Sequence, residues 1–96
     1  MIWVVERLIV YHFIDLGFEM LKIPIRVEVE YGLEGSTVTS LSKKTLYNLP
    51  YLIKQYPKLN QEKLKAAIEQ TVKKELSDHF KVRGYTYRNQ EERKDG

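Results

Sequence analysis

The chain predicts an α+β fold: a small antiparallel β-meander packed with one short and one long amphipathic helix. Three observations carry that expectation. Residues 23–31 alternate apolar and polar side chains, glycine-containing turns fall near Gly17 and Gly35, and residues 64–80 place apolar side chains at three- or four-residue intervals. A length of 96 residues sets the scale of one domain, assigned to residues 1–88.

The N-terminal run "IWVVERLIVYHFI" is rich in β-branched and aromatic residues, which favours a strand. A helix is the competing reading, because Ile2, Val5, Ile9, Phe13, Leu16 and Met20 recur at helical spacing and Gly17 would end it. As a strand the run is apolar on both faces, so it must be buried on both sides or covered by a partner. Trp3, Val5, Ile9, Tyr11 and Phe13 are the candidate self-association residues. A domain this small gains stability by hiding such a surface against another chain.

The next strand is clearer. Ile23, Ile25, Val27, Val29 and Tyr31 alternate with Pro24, Arg26, Glu28 and Glu30, giving one core face and one wet face. Pro24 suits a strand start or an edge, since proline cannot donate to the ladder. Residues 31–36 read as a hairpin connection and residues 36–42 as a short return strand centred on Val38.

Asn48 before Leu49 and Pro50 reads as a helix start, and Pro57 ends that helix after Leu52, Ile53 and Tyr56. Asn60 is the next cap, with Glu62 in the favourable first turn. Leu64, Ala67, Ile68, Thr71, Val72, Leu76 and Phe80 then form the stripe of the long helix. Residues 81–88, "KVRGYTYR", admit two readings. A short edge strand is favoured by the β propensity of "YTY", whereas Gly84 would be a natural stop for a continuing helix. Residues 89–96 contain no apolar side chain and are expected to be a disordered tail.

Composition narrows the function. The 43% hydrophobic and 30% charged fractions are those of a globular domain, and the absence of cysteine removes disulfides and thiolate chemistry. A cytoplasmic location is the simplest expectation. Glu6, Arg7, Asp15 and Glu19 interrupt the apolar N-terminus, so neither a membrane span nor a signal peptide is expected. The net charge of +3 is unevenly spread: −2 over residues 1–32, +2 over 33–57 and +3 over 58–96.

Catalytic and metal patterns are missing. Glu75 and His79 are one helical turn apart, but zinc needs further ligands at matching spacing, and a histidine at a helix C-terminus is the simpler account. There is no nucleophile elbow and no phosphate-binding glycine loop. Glu28 and Glu30 share a strand face as ordinary solvated charge. The expectation is a non-enzyme without metal, cofactor or small-molecule substrate.

The seven tyrosines suit contact surfaces, where they supply area at low entropy cost. Within "RGYTY", Arg83, Gly84, Tyr85 and Tyr87 resemble part of the RNA-contacting strand motif of the RRM family. Thr86 and Arg88 depart from that motif. The family also sets it inside a βαββαβ domain, whereas here it comes last. The resemblance covers five residues and implies stacking on single-stranded RNA or DNA.

Two readings follow. The first is a protein-interaction or regulatory module that self-associates, as a homo-oligomer, or docks on a protein partner. The alternative is a small basic nucleic-acid-binding module using Lys73, Lys74, Lys81, Arg83, Tyr85, Tyr87 and Arg88.

Overall fold

The computed structural model describes residues 1–87. Arg88 and the expected tail at 89–96 lie outside the described residues. Three strands, β1 (Ile2–Asp15), β2 (Met20–Glu34) and β3 (Thr37–Leu46), precede two helices, α1 (Leu49–Gln55) and α2 (Gln61–Val82). The strands form one antiparallel sheet in the order β1-β2-β3, so β2 is central and both others are edges. This is the α+β meander with a short and a long helix.

The N-terminal run is a strand throughout, and its ambiguity is settled by register. Ile2 pairs with Leu33 and Asp15 with Met20 without interruption. Gly17, at φ +91°, supplies the positive backbone angle that a two-residue hairpin loop demands at its first position. Strands β2 and β3 run beyond the alternating core read from sequence. Lys43, Lys44 and Thr45 extend β3, and Lys43 gains a partner from α2 in Glu69 at 3.3 Å.

One face of the sheet is covered by the helices. Ile23, Ile25, Val27, Val29 and Tyr31 of β2 are buried against Leu64, Ile68, Val72, Leu76 and Phe80 of α2. The helix begins where Asn60 Oδ1 accepts from the Lys63 amide, as Asn48 Oδ1 does from Tyr51 in α1. A spacing of four residues against 3.6 per turn rotates the buried stripe by about 40° each step. The stripe therefore winds round α2, and Phe80 ends up covered by aromatic rings. Tyr31 meets it edge-on at 4.9 Å and Tyr87 lies 5.0 Å away.

The segment 81–87 resolves differently from the favoured strand. Lys81 and Val82 are the last residues of α2, and Gly84 at φ +76° turns the chain out of the helix. Only Thr86 pairs its backbone with the sheet, as an isolated parallel bridge to Thr37. Its amide donates to Ser36 O at 2.7 Å, and its carbonyl accepts from the Val38 amide at 2.9 Å. The helix, whose apolar stripe continues to Phe80, takes Lys81 and Val82 from the expected strand and leaves "YTY" a single bridge at Thr86.

Candidate interaction surface on strand β1

Strand β1 sends even-numbered side chains toward α2 and odd-numbered ones to the open face of the sheet. Val10 is buried, and Val4, Leu8 and Ile14 pack against the core. Trp3, Val5, Ile9, Tyr11 and Phe13 remain between 45% and 65% exposed. All five candidate self-association residues therefore share one face of one strand. Their half-exposed side chains leave roughly 500 Å² of apolar surface, given about 150–250 Å² for a whole aromatic side chain. That is the size of the largest patch on an ordinary monomer, and such patches are often functional.

The stripe is confined to β1. Across the open face the register places Arg7 beside Glu28 and Glu28 beside Lys44, a row of alternating charge. Val5 faces Glu30, and Lys22 places its ammonium 4.1 Å from the Tyr11 ring centroid. Apart from the stripe, the open face is mostly polar or charged, with Met20, Pro24 and Leu46 as its apolar residues.

The backbone of β1 adds a second feature on the same residues. In the first hairpin the Leu16 amide donates to the Glu19 carbonyl, making that pair hydrogen-bonded. Antiparallel pairs alternate between bonded and non-bonded, so even-numbered β1 residues bond to β2 and odd-numbered ones point their N–H and C=O outward. The residues that expose apolar side chains are therefore those that expose unpaired backbone groups.

The opposite edge is protected. Strand β3 carries Lys43 and Lys44, and Thr86 closes its start. Along β1 the single outward charge between Trp3 and Phe13 is Arg7. A groove lined by Leu8, Ile9, Val10, Glu75, Asp78, His79 and Val82 runs between β1 and α2, and Val82 is an exposed apolar residue beside it.

Behind this strand, Glu6 holds a polar cluster. His79 Nε2 donates to Glu6 Oε2 at 2.8 Å, and Arg83 lies 3.3 Å from Glu6 Oε1. Arginine only donates, so its 3.2 Å contact to His79 Nδ1 makes that nitrogen the acceptor. A neutral imidazole with its proton on Nε2 satisfies both bonds. Burial, reinforced by the charge and hydrogen bond of Glu6, pushes the Tyr31 phenol up to about 12. The partner of His79 is thus Glu6 from β1, not Glu75 one turn before it. Glu6 carried no sequence signal, because His79 and Arg83 lie more than 70 residues away. His12 bonds the Thr71 hydroxyl at 2.8 Å.

The basic and aromatic residues of the second reading are dispersed. Lys73 and Lys74 lie mid-helix, Lys81 is in the last turn, and Arg83 is the C-cap engaged with Glu6. Tyr85 and Tyr87 are half-buried against Phe80. Lys81 and Arg83 therefore do not share a strand face with the tyrosines. Near the β3–α1 junction, an open groove is lined by Arg26, Tyr47, Lys65 and Glu69. Burial there, with the Glu69 charge, raises the Tyr47 phenol, which stays protonated at neutral pH. Among the described residues no three His, Asp or Glu side chains gather as metal ligands, and no helix is long and apolar enough to cross a membrane. Comparison with known protein families, curated proteins and solved structures finds no match for this chain.

Proposed function

We propose that this chain is a non-catalytic protein-interaction module whose contact element is β1. The observation that supports this reading is the coincidence on Trp3, Val5, Ile9, Tyr11 and Phe13 of exposed apolar side chains with an unpaired backbone edge. A strand supplied by another chain satisfies the backbone, and its alternate side chains meet the stripe. The β3 edge, blunted by lysines and Thr86, offers no equivalent. Tyr85 and Tyr87, the rings named in the nucleic-acid reading, pack against Phe80, which weighs against stacking by those two.

The test compares the native chain with an Ile9→Lys variant in two assays. One is sedimentation over a wide concentration range, and the other is selection of extended peptides from a display library. Association in either assay, lost in Ile9→Lys while the circular dichroism spectrum and melting temperature are retained, supports the reading. A native chain that stays monomeric and enriches no peptide refutes it.

A further inference from the structure

We infer that the occupant of the β1 edge is a second copy of this chain, joined by antiparallel β1–β1 pairing about a two-fold axis at Leu8. This rests on the reading of β1 as the contact element and names its partner. Two arguments select the copy and the register.

The first is the pairing rule. Odd-numbered residues carry the free N–H and C=O groups, so odd must face odd across a symmetric junction. Centring on Arg7 sets two guanidinium groups directly opposite, which is destabilising. Centring on Ile9 pulls Trp3 opposite Asp15, at the end of the strand. Centring on Leu8 places Trp3 opposite Phe13, Val5 opposite Tyr11 and Arg7 opposite Ile9 of the second copy. Aromatic–aromatic and aromatic–β-branched pairs are the favoured cross-strand combinations. This register also uses the strand almost end to end.

The second is extent. Six odd residues on each strand, from Trp3 to Phe13, give about twelve new backbone hydrogen bonds at two per bonded pair. A stable protein interface carries about ten. The product is a continuous six-stranded sheet with the apolar stripes of both copies adjacent at its centre.

The experiment uses the absence of native cysteine. Leu8 would oppose itself in a non-bonded pair with Cα atoms about 4.5 Å apart, within disulfide reach. The Leu8→Cys chain is oxidised mildly beside Val4→Cys, whose copies lie far apart in this register. Amide exchange of the native chain, read at high and low concentration, provides the same test without a substitution. The expected result is a concentration-dependent dimer, covalent capture of Leu8→Cys but not Val4→Cys, and amides of Val5, Ile9 and Tyr11 that lose protection on dilution. A dimer with no Leu8→Cys capture and no such protection overturns the register. A chain that remains monomeric yet enriches strand-forming peptides overturns the second copy as occupant while leaving β1 as a contact element. A monomer that enriches none refutes both.

Discussion

Strand β1 has two faces of similar composition and opposite fate. Val10 is buried beneath α2, whereas Ile9, one residue earlier, is 65% exposed. Strand β2 shows no such equality, because its outward face carries Lys22, Arg26, Glu28 and Glu30 while its inward face is apolar. The fold covers one face of the doubly apolar β1 and leaves the other to solvent.

The largest effect lies in the covered face. Phe80 is fully buried among Tyr31, Tyr85 and Tyr87. Phe80→Ala is expected to cost about 3–5 kcal/mol, a large share of the stability of a small domain. Urea denaturation followed by tryptophan fluorescence measures it. A loss below 1 kcal/mol would mean that the aromatic cluster is not part of the cooperative core.

The same cluster has a pH signature. Tyr31 is neutral when protonated, and its phenol rises from 10.0 to about 12 on folding. Below pH 10 both states are protonated, and this contribution to stability is complete. As pH climbs from 10 to 12 the unfolded chain ionises first, and stability falls. At 1.36 kcal/mol per unit the loss is on the order of 2–3 kcal/mol. Comparing urea midpoints of the native chain and Tyr31→Phe isolates it, since tyrosines common to both largely cancel. A constant difference from pH 9 to 12 would contradict the buried Tyr31–Glu6 arrangement.

Glu6 is the one ionised side chain that β1 turns toward the helix, and α2 answers it with His79 and Arg83. Glu6→Gln keeps one acceptor for His79 but removes the charge opposite Arg83. A loss of about 1–2 kcal/mol is expected from weakening a charge-assisted, partly buried contact. A double-mutant cycle with Arg83→Met reads the coupling. Coupling near zero would reduce the Arg83 contact to surface decoration.

Much of this architecture was legible in the residues, and the gaps have physical causes. The alternation in β2 and the asparagine caps at 48 and 60 are local signals, and the structure forms them locally. The β1 stripe was legible for the same reason, since the period of two alone places Trp3, Val5, Ile9, Tyr11 and Phe13 together. Residues 81–87 were not, because helix and strand compete there. The winner depends on Phe80 meeting Tyr31 from a strand fifty residues earlier. Glu6, His79 and Arg83 were invisible as a group because only tertiary packing brings them together.

The smallest effect on the isolated domain is the most discriminating. Val10→Thr places a hydroxyl under α2 and is expected to cost about 1–3 kcal/mol at any protein concentration. Ile9→Thr makes a comparable change on the opposite face of the same strand, where solvent already reaches the side chain. In dilute solution its cost is expected to stay within about 0.5 kcal/mol. If a second copy pairs along the β1 edge, its side chains flank Ile9, native stability rises with protein concentration by mass action, and Ile9→Thr blunts the rise. Melting both variants across a hundredfold concentration series separates the two kinds of burial. The Val10→Thr deficit stays constant, while the Ile9→Thr deficit grows only as the chain associates. Parallel curves for Ile9→Thr and the native chain at every concentration would leave the β1 edge without a second copy beside it.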